Sequence, residues 1–371
     1  MIKRKLRHNF PWPEVICTAA AAGGSLRLLK WALANDCPWG EATCFEAAAA
    51  GHLGIMQWTR SENCAWDSRT CSKAAAGGHL EILQWAQAQD LPWEHDTCSS
   101  AASNGYLEVI HWARTKGAHW GEDTTNWAAA AEHLKVLSWA TAQGCPLSRD
   151  VGIIVVQNGH LKTLTWMLAN SCRWPKNVSE AAAENGHIHI LELIRDTPHV
   201  WYNGASNICQ SAAVGGQLNV LQWAHKNGCF WDRMTCTLAA SAGHLDILQW
   251  ASRHGCPRDE FKCASAAAAG HLETVQWLRA VGSPWDRDMC CEAARNGHNK
   301  VLKWARCNGC PRNVHTCARA AEAGCLDILQ WARAEGCPWG ENTCSEAASK
   351  GDFELLKWAR LNQCPWAVNT C

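Results

Sequence analysis

The chain has 371 residues with 34 basic and 34 acidic side chains, so its formal net charge is zero. That balance argues against an extended nucleic-acid surface, which needs clustered excess Lys and Arg; no run approaches the roughly 18 apolar residues of a membrane span. The composition is unusual in two respects, with 24 Trp against 2 Tyr and 5 Phe, and with 23 Cys.

Residues 1–9 form a basic tail containing Lys3, Arg4, Lys5 and Arg7. No apolar run follows it, so it does not read as a signal peptide. The expected compartment is therefore a reducing one, the cytoplasm or the nucleus. From residue 10 to residue 371 the chain reads as a single array of about 13 repeats. Trp31, Trp58, Trp85, Trp112, Trp139 and Trp166 follow one another at a constant 27-residue step, and Leu193 takes the next slot. After a jump of 30, Trp223, Trp250, Trp277, Trp304, Trp331 and Trp358 resume the 27-residue step. A second series includes Trp12, Trp39, Trp66, Trp93, Trp120, Trp174, Trp231, Trp285, Trp339 and Trp366. Self-similarity at a fixed period is the signature of a repeat architecture.

Each repeat reads as helix, turn, helix, loop. In residues 43–67, Thr43 is the expected N-cap and Glu46 completes a capping box, a pairing that Thr343 and Glu346 repeat. The first helix, of about two turns, runs through Ala47 and Ala48 to Gly51, where glycine ends it in the left-handed conformation. Leu53, Met56 and Trp58 open a second helix with its apolar residues on one face. Asn63 stops it, and Gly228, Gly255, Gly309 and Gly336 hold the same place in other repeats. One hairpin cannot bury its apolar side alone, whereas stacked hairpins can. The expected fold is all-α, a helical-hairpin solenoid with almost no strand. At ~10 Å per layer it would reach on the order of 100 Å. The indoles are expected to fill the space between layers, so that Trp250→Ala would cost ~3–5 kcal/mol.

The repeat rules are broken most often between residues 118 and 208. Trp127 stands where other repeats have Lys73, Ser100 or Glu346, and Glu132 replaces the turn glycine. Ile153, Ile154, Val155 and Val156 replace a small-residue helix, and seven residues from Tyr202 to Ile208 occupy a loop that other repeats close with four.

The run Ala-Ala-x-x-Gly-His-Leu-Glu-x-Leu, as in Ala74 to Leu83, resembles the centre of the ankyrin repeat. The segment Gly228-Cys229-Phe230-Trp231-Asp232 aligns with the ankyrin loop. The resemblance covers residues 10–371, with a period of 27 instead of 33. Thr-Cys replaces the helix-starting Thr-Pro-Leu-His, and most of the β-turn finger is missing. Tryptophan-rich, finger-less arrays of this kind are similar to multi-repeat proteins of oomycetes, algae and giant viruses. The resemblance implies a monomeric, non-enzymatic scaffold for protein–protein interaction, presenting a concave surface lined by the first helices. On that surface Trp127, Ile153 and Ile154 are the expected partner-binding residues, with Tyr202 and Asn203 of the longer loop as a rim. The alternative for the same segment is a local kink that larger residues repack.

The cysteines fall in two columns, represented by Cys17, Cys44 and Cys71 and by Cys37, Cys64 and Cys145. Stacked helices lie ~8–10 Å apart, too far for same-column disulfides. A bridge within one loop, such as Cys37 to Cys44, is conceivable, but no recurring tight pair suggests zinc. The preferred reading is a set of free, small buried hydrophobes. His52, His79, His133, His160, His187, His244, His271 and His298 share one turn position, as residues that cap or bridge backbone groups would. No nucleophile elbow, phosphate loop or metalloprotease motif is present, so no enzyme, cofactor or metal is expected. A protein partner is expected, with no nucleic acid and no membrane. The competing readings are a structural spacer, a remnant of a longer array, and a substrate adaptor of a ubiquitin ligase, which would carry a recruiting module such as an F-box.

Overall fold

A computed structural model of the chain describes residues 14–91, 95–170, 172, 177–197, 207–256, 262–285, 288–311, 313 and 315–365. The basic tail lies outside the described residues, as do Trp12, Trp93, Trp174, Trp201 and Trp366. The chain divides into two compact units, Met1–Pro175 and Lys176–Cys371. Both are built of helical hairpins, and the described residues contain no strand.

The first unit contains α1 (Val15–Ala22), α2 (Leu26–Leu33), α3 (Glu41–Ala49), α4 (Leu53–Ser61), α5 (Arg69–Ala76), α6 (Leu80–Ala88), α7 (Thr97–Ala102), α8 (Leu107–Thr115), α9 (Glu122–Ala130), α10 (Leu134–Ala142), α11 (Val151–Gln157) and α12 (Leu161–Ala169). The second contains α13 (Val178–Glu184), α14 (Ile188–Arg195), α15 (Ile208–Val214), α16 (Leu218–Lys226), α17 (Arg233–Ala242), α18 (Leu245–Arg253), α19 (Lys262–Ala268), α20 (Leu272–Ala280), α21 (Met289–Arg295), α22 (Asn299–Cys307), α23 (Thr316–Ala323), α24 (Leu326–Ala334), α25 (Glu341–Lys350) and α26 (Phe353–Leu361). Odd-numbered helices are the first of each hairpin. Within each unit they pack on their own second helix and on the first helices of neighbouring hairpins.

Small side chains make that packing close. Ala47, Ala48, Ala74 and Ala75 are fully buried on α3 and α5, with Cys44 and Cys71 beside them. The second helices contribute branched aliphatics, such as Ile82 and Leu83 of α6 and Val220 and Leu221 of α16. The ladder tryptophans are not this core. Trp58, Trp85, Trp139, Trp250 and Trp304 are half-buried, and Trp31 is 51% exposed. The expectation of an indole-filled interior is corrected accordingly: the interior is Ala, Cys and aliphatic, and the indoles lie along its edge.

Helix starts also differ from the sequence reading. α3 begins at Glu41 behind Gly40, so Thr43 lies within the helix and is fully buried. The same column supplies the inner half of a capping box at α17. At α17 the Asp232 carboxylate accepts from the Thr235 backbone N–H at 3.1 Å, and the Asp232 N–H donates to Thr235 Oγ1 at 3.4 Å.

The turns follow the expected chemistry. Gly51, Gly243 and Gly351 close the first helices with positive φ, and Asn63 at φ 59° closes a second helix where Gly228 and Gly255 do so elsewhere. Glu132 takes the left-handed turn at φ 59° without being glycine. A side chain there costs about 1–2 kcal/mol, partly offset by the greater unfolded-state entropy of glycine. Its carboxylate lies only 3.8 Å from His160 Nδ1 at a half-exposed site, a contact of small weight. Glu132→Gly is therefore expected to raise stability by about 1 kcal/mol, read as a higher urea midpoint with unchanged slope. An unchanged or lower midpoint would show that the ion pair outweighs the backbone strain.

Candidate functional site

The turn histidines show how consecutive hairpins are joined. Each stands at the N-cap of a second helix, yet His52, His79 and His133 make no side-chain bond to that helix. The ring reaches back to the preceding hairpin. His52 Nε2 meets the carbonyl of Ala22 at 3.1 Å, His79 that of Ala49 at 2.9 Å, and His160 that of Ala130 at 2.7 Å. In the second unit, His244 meets Val214 at 3.0 Å and His298 meets Ala268 at 3.0 Å. These carbonyls end the first helices and have no intrahelical partner, so Nε2–H donates to each. The bridging role expected for the column holds, and its target is the neighbouring hairpin. These histidines are structural seams.

Two faces remain for a partner. On the first-helix face of the first unit, Trp127 of α9 is 55% exposed. Ile154 of α11 occupies the same slot one repeat later, and α9 and α11 pack together. Ile153 and Ile154 are half-buried, while Val155 and Val156 behind them are fully buried. The same column carries exposed Glu46, exposed Lys73 and half-buried Ser100 in the preceding hairpins. Trp127 and Ile154 thus interrupt a polar column with a large apolar step. Tyr202 and Asn203, the expected rim, lie outside the described residues.

The other face is one that sequence reasoning missed. Loop tryptophans pack on the ladder tryptophans of the following hairpin, with Trp39–Trp58 ring centroids at 5.6 Å, Trp66–Trp85 at 5.2 Å and Trp120–Trp139 at 5.7 Å. Trp231–Trp250, Trp285–Trp304 and Trp339–Trp358 repeat this in the second unit at 5.6, 6.1 and 5.8 Å. An arginine from the same hairpin covers several loop indoles: Arg60 over Trp66 at 4.9 Å, Arg114 over Trp120 at 4.4 Å and Arg333 over Trp339 at 4.2 Å. Such cation–π contacts also anchor the loop, since Arg114 Nη1 donates to the Ala118 carbonyl at 2.6 Å. Beside this stack in the first unit, Leu80, Leu107, Glu108, His111, Trp112 and Trp139 line a shallow groove of about 400 Å³. The available sequence signal was the constant offset from each loop Trp to the ladder Trp of the following repeat, a spacing that crosses the repeat boundary.

The cysteines depart from the all-free expectation. Cys236 and Cys256 form a disulfide at a sequence separation of 20, with Cα atoms 7.1 Å apart. Cys290 and Cys310 have the same separation and their sulfurs are 3.0 Å apart. Neither of the spacings weighed from sequence, 27 within a column or 7 within a loop, corresponds to this pairing. Burial pushes the Cys209 and Cys317 thiols up to about 12, and the Cys98 thiol to about 11. Among the described residues, no three His, Cys, Asp or Glu side chains form a metal-binding group, and no helix is long and apolar enough to cross a membrane.

No family model matches the sequence, and no curated protein matches it. Solved structures do. The pentatricopeptide repeat protein PPR10, in complex with an 18-nucleotide psaJ RNA element, matches at TM-score 0.38 and 13% identity over 93% of this chain. This chain spans 62% of the length of that one. The structure of PPR10 from maize matches at TM-score 0.31 and 14% identity, covering 90% of this chain and 60% of that one. The human ASB11 ankyrin repeat domain matches at TM-score 0.38 and 11% identity, covering 48% of this chain and 96% of that domain. These likenesses are of helical-repeat architecture and carry no argument about what this chain binds. They do correct one expectation. The expectation of no nucleic-acid partner is withdrawn, because one of the matched helical-repeat proteins is solved in complex with an RNA element.

Proposed function

We propose that the chain is a non-enzymatic binding scaffold of ankyrin-like repeats, and that a protein partner docks on the first-helix face of the first unit around Trp127 and Ile154. The observation that carries this reading is the exposure of Trp127, 55% open in a column that carries Glu46, Lys73 and Ser100 in the three preceding hairpins. In a purely repacked kink, the large residue would fill the space that called for it and would be buried. An exposed indole beside an isoleucine, framed by polar residues, has the composition of an interface hot spot. The competing face along the second helices is built from regular residues whose rings and guanidinium groups are already engaged with one another.

The test is partner recovery from the source cell with the wild-type chain and with Trp127→Ala. Truncating a hot-spot residue costs about 2 kcal/mol or more. Affinity for the recovered protein should thus fall by about 30-fold or more, while the melting temperature stays within about 1 °C. A variant that melts lower and keeps its partner would establish the kink instead. Recovery of RNA that Trp127→Ala leaves bound would move the site to another face.

A further inference from the structure

The disulfide between Cys236 and Cys256 is one member of a series. Seven hairpins place one cysteine on the first helix and another just past the second helix, always at the separation of 20 that this disulfide spans. The pairs are Cys17 and Cys37, Cys44 and Cys64, Cys209 and Cys229, Cys236 and Cys256, Cys290 and Cys310, Cys317 and Cys337, Cys344 and Cys364. The fold brings these positions together at the base of the hairpin. The Cys17, Cys44 and Cys344 side chains each interact with the cysteine past their second helix, and the sulfurs of Cys290 and Cys310 are 3.0 Å apart. Cys317 Sγ lies 4.0 Å from the carbonyl of Cys337. The loop thiol also ties the hairpin shut in the reduced state, since Cys64 Sγ donates to the Gly40 carbonyl at 3.4 Å. A set of merely small, buried side chains requires no partner of the same kind at the same distance in hairpin after hairpin.

We propose that these seven hairpins are dithiol modification sites, each closing to an intra-hairpin disulfide by exchange with a low-molecular-weight disulfide such as oxidised glutathione. In the first step one cysteine thiolate attacks the glutathione disulfide, forming a mixed disulfide and releasing one glutathione thiolate. The partner cysteine then gives up its proton and attacks the cysteine sulfur of the mixed disulfide, which releases the second glutathione. Two electrons pass from the cysteine pair to the glutathione disulfide, and the two protons end on two glutathione thiols. Cys229 is half-buried and offers an entry point on the loop side of its pair. The other pairs are more deeply covered, and the burial that raises the Cys17 and Cys364 thiols to about 12 keeps their thiolate fraction low. Their closure therefore waits on local opening of the hairpin. Cys71, Cys98 and Cys263 have Leu91, Ala118 and Ser283 at the partner position and stay thiols.

The experiment equilibrates the purified full chain in glutathione buffers of graded ratio, quenches with acid, alkylates, and maps the peptides by mass spectrometry. The expected products are bridges at a separation of 20, with Cys71, Cys98 and Cys263 alkylated. The oxidised chain should melt about 5 °C higher or more, because each bridge closes a loop of the unfolded chain. Full alkylation in every buffer, bridges between neighbouring repeats, or glutathione adducts without bridges would each overturn the proposal. Cys310→Ala supplies a second reading. It should trap Cys290 as the mixed disulfide with glutathione, and pairing of Cys290 with any other cysteine would count against the assigned partner.

Discussion

Gly215→Ala is expected to cost about 3 kcal/mol, at the upper end of the usual range for overpacking. Gly215 follows α15 with φ −77°, a conformation open to any residue, so backbone freedom is not the reason for glycine there. Space is. A Cβ at this position would fall inside the van der Waals shell of the Glu184 carbonyl oxygen, 2.7 Å from the carbonyl carbon and 2.9 Å from Cα. Glu184 ends α13, so the obstacle is the backbone of the preceding first helix, which cannot swing aside as a side chain would. The two first helices must part, and the fully buried Ala182, Ala212 and Ala213 between them lose contact. Urea unfolding would measure the loss, and hydrogen exchange should show it concentrated in neighbouring hairpins, because contacts are nearest-neighbour. A loss under about 1 kcal/mol would mean that the hairpins separate freely at this junction.

Alkali is expected to unfold the reduced chain. The thiols of Cys209 and Cys317 ionise near 9 in the unfolded chain and are pushed up to about 12 in the fold, chiefly by burial. Above pH 9 the unfolded state therefore binds fewer protons than the folded one, so stability must fall as pH rises. The contribution is intact below pH 9, declines between pH 9 and 12, and is lost above the folded value. A rise of that size is worth up to about 4 kcal/mol for one buried thiol, and several thiols act together. Thermal melts in reductant at stepped pH should show the midpoint falling steeply from pH 9 upward, with Cys209→Ala moving that fall to higher pH. A midpoint flat from pH 8 to 11 would show that the thiols are not buried as described.

The 27-residue step from Trp31 to Trp166 locates each hairpin because a residue type repeated at one period must face one way in every layer. It does not say which way. Half-buried Trp250 and fully buried Ile247 share α18, and both fit the helical phase of an apolar stripe. Thr43 reads as a cap because Thr followed by Glu three residues later is a common cap signature, yet Gly40 starts the helix and turns Thr43 inward. Trp127 is legible as a departure from its column. The second-helix groove is not, since Leu80, Leu107 and Trp139 occupy regular slots and become a groove only when the hairpins stack. The 20-residue cysteine spacing is plain once the hairpin is known to bring its two ends together.

The tryptophan pairs have one more consequence. Each joins the loop of one hairpin to the second helix of the next, at centroid distances between 5.2 and 6.1 Å. Indoles that close couple their electronic transitions, so circular dichroism of the folded chain should contain an exciton couplet from each of these six pairs. The chromophores straddle junctions, leaving hairpin interiors silent in this signal. A hairpin that stays helical but separates from its neighbour would lose the couplet while its far-ultraviolet helical signal remains, making the chain its own optical gauge of cohesion between layers.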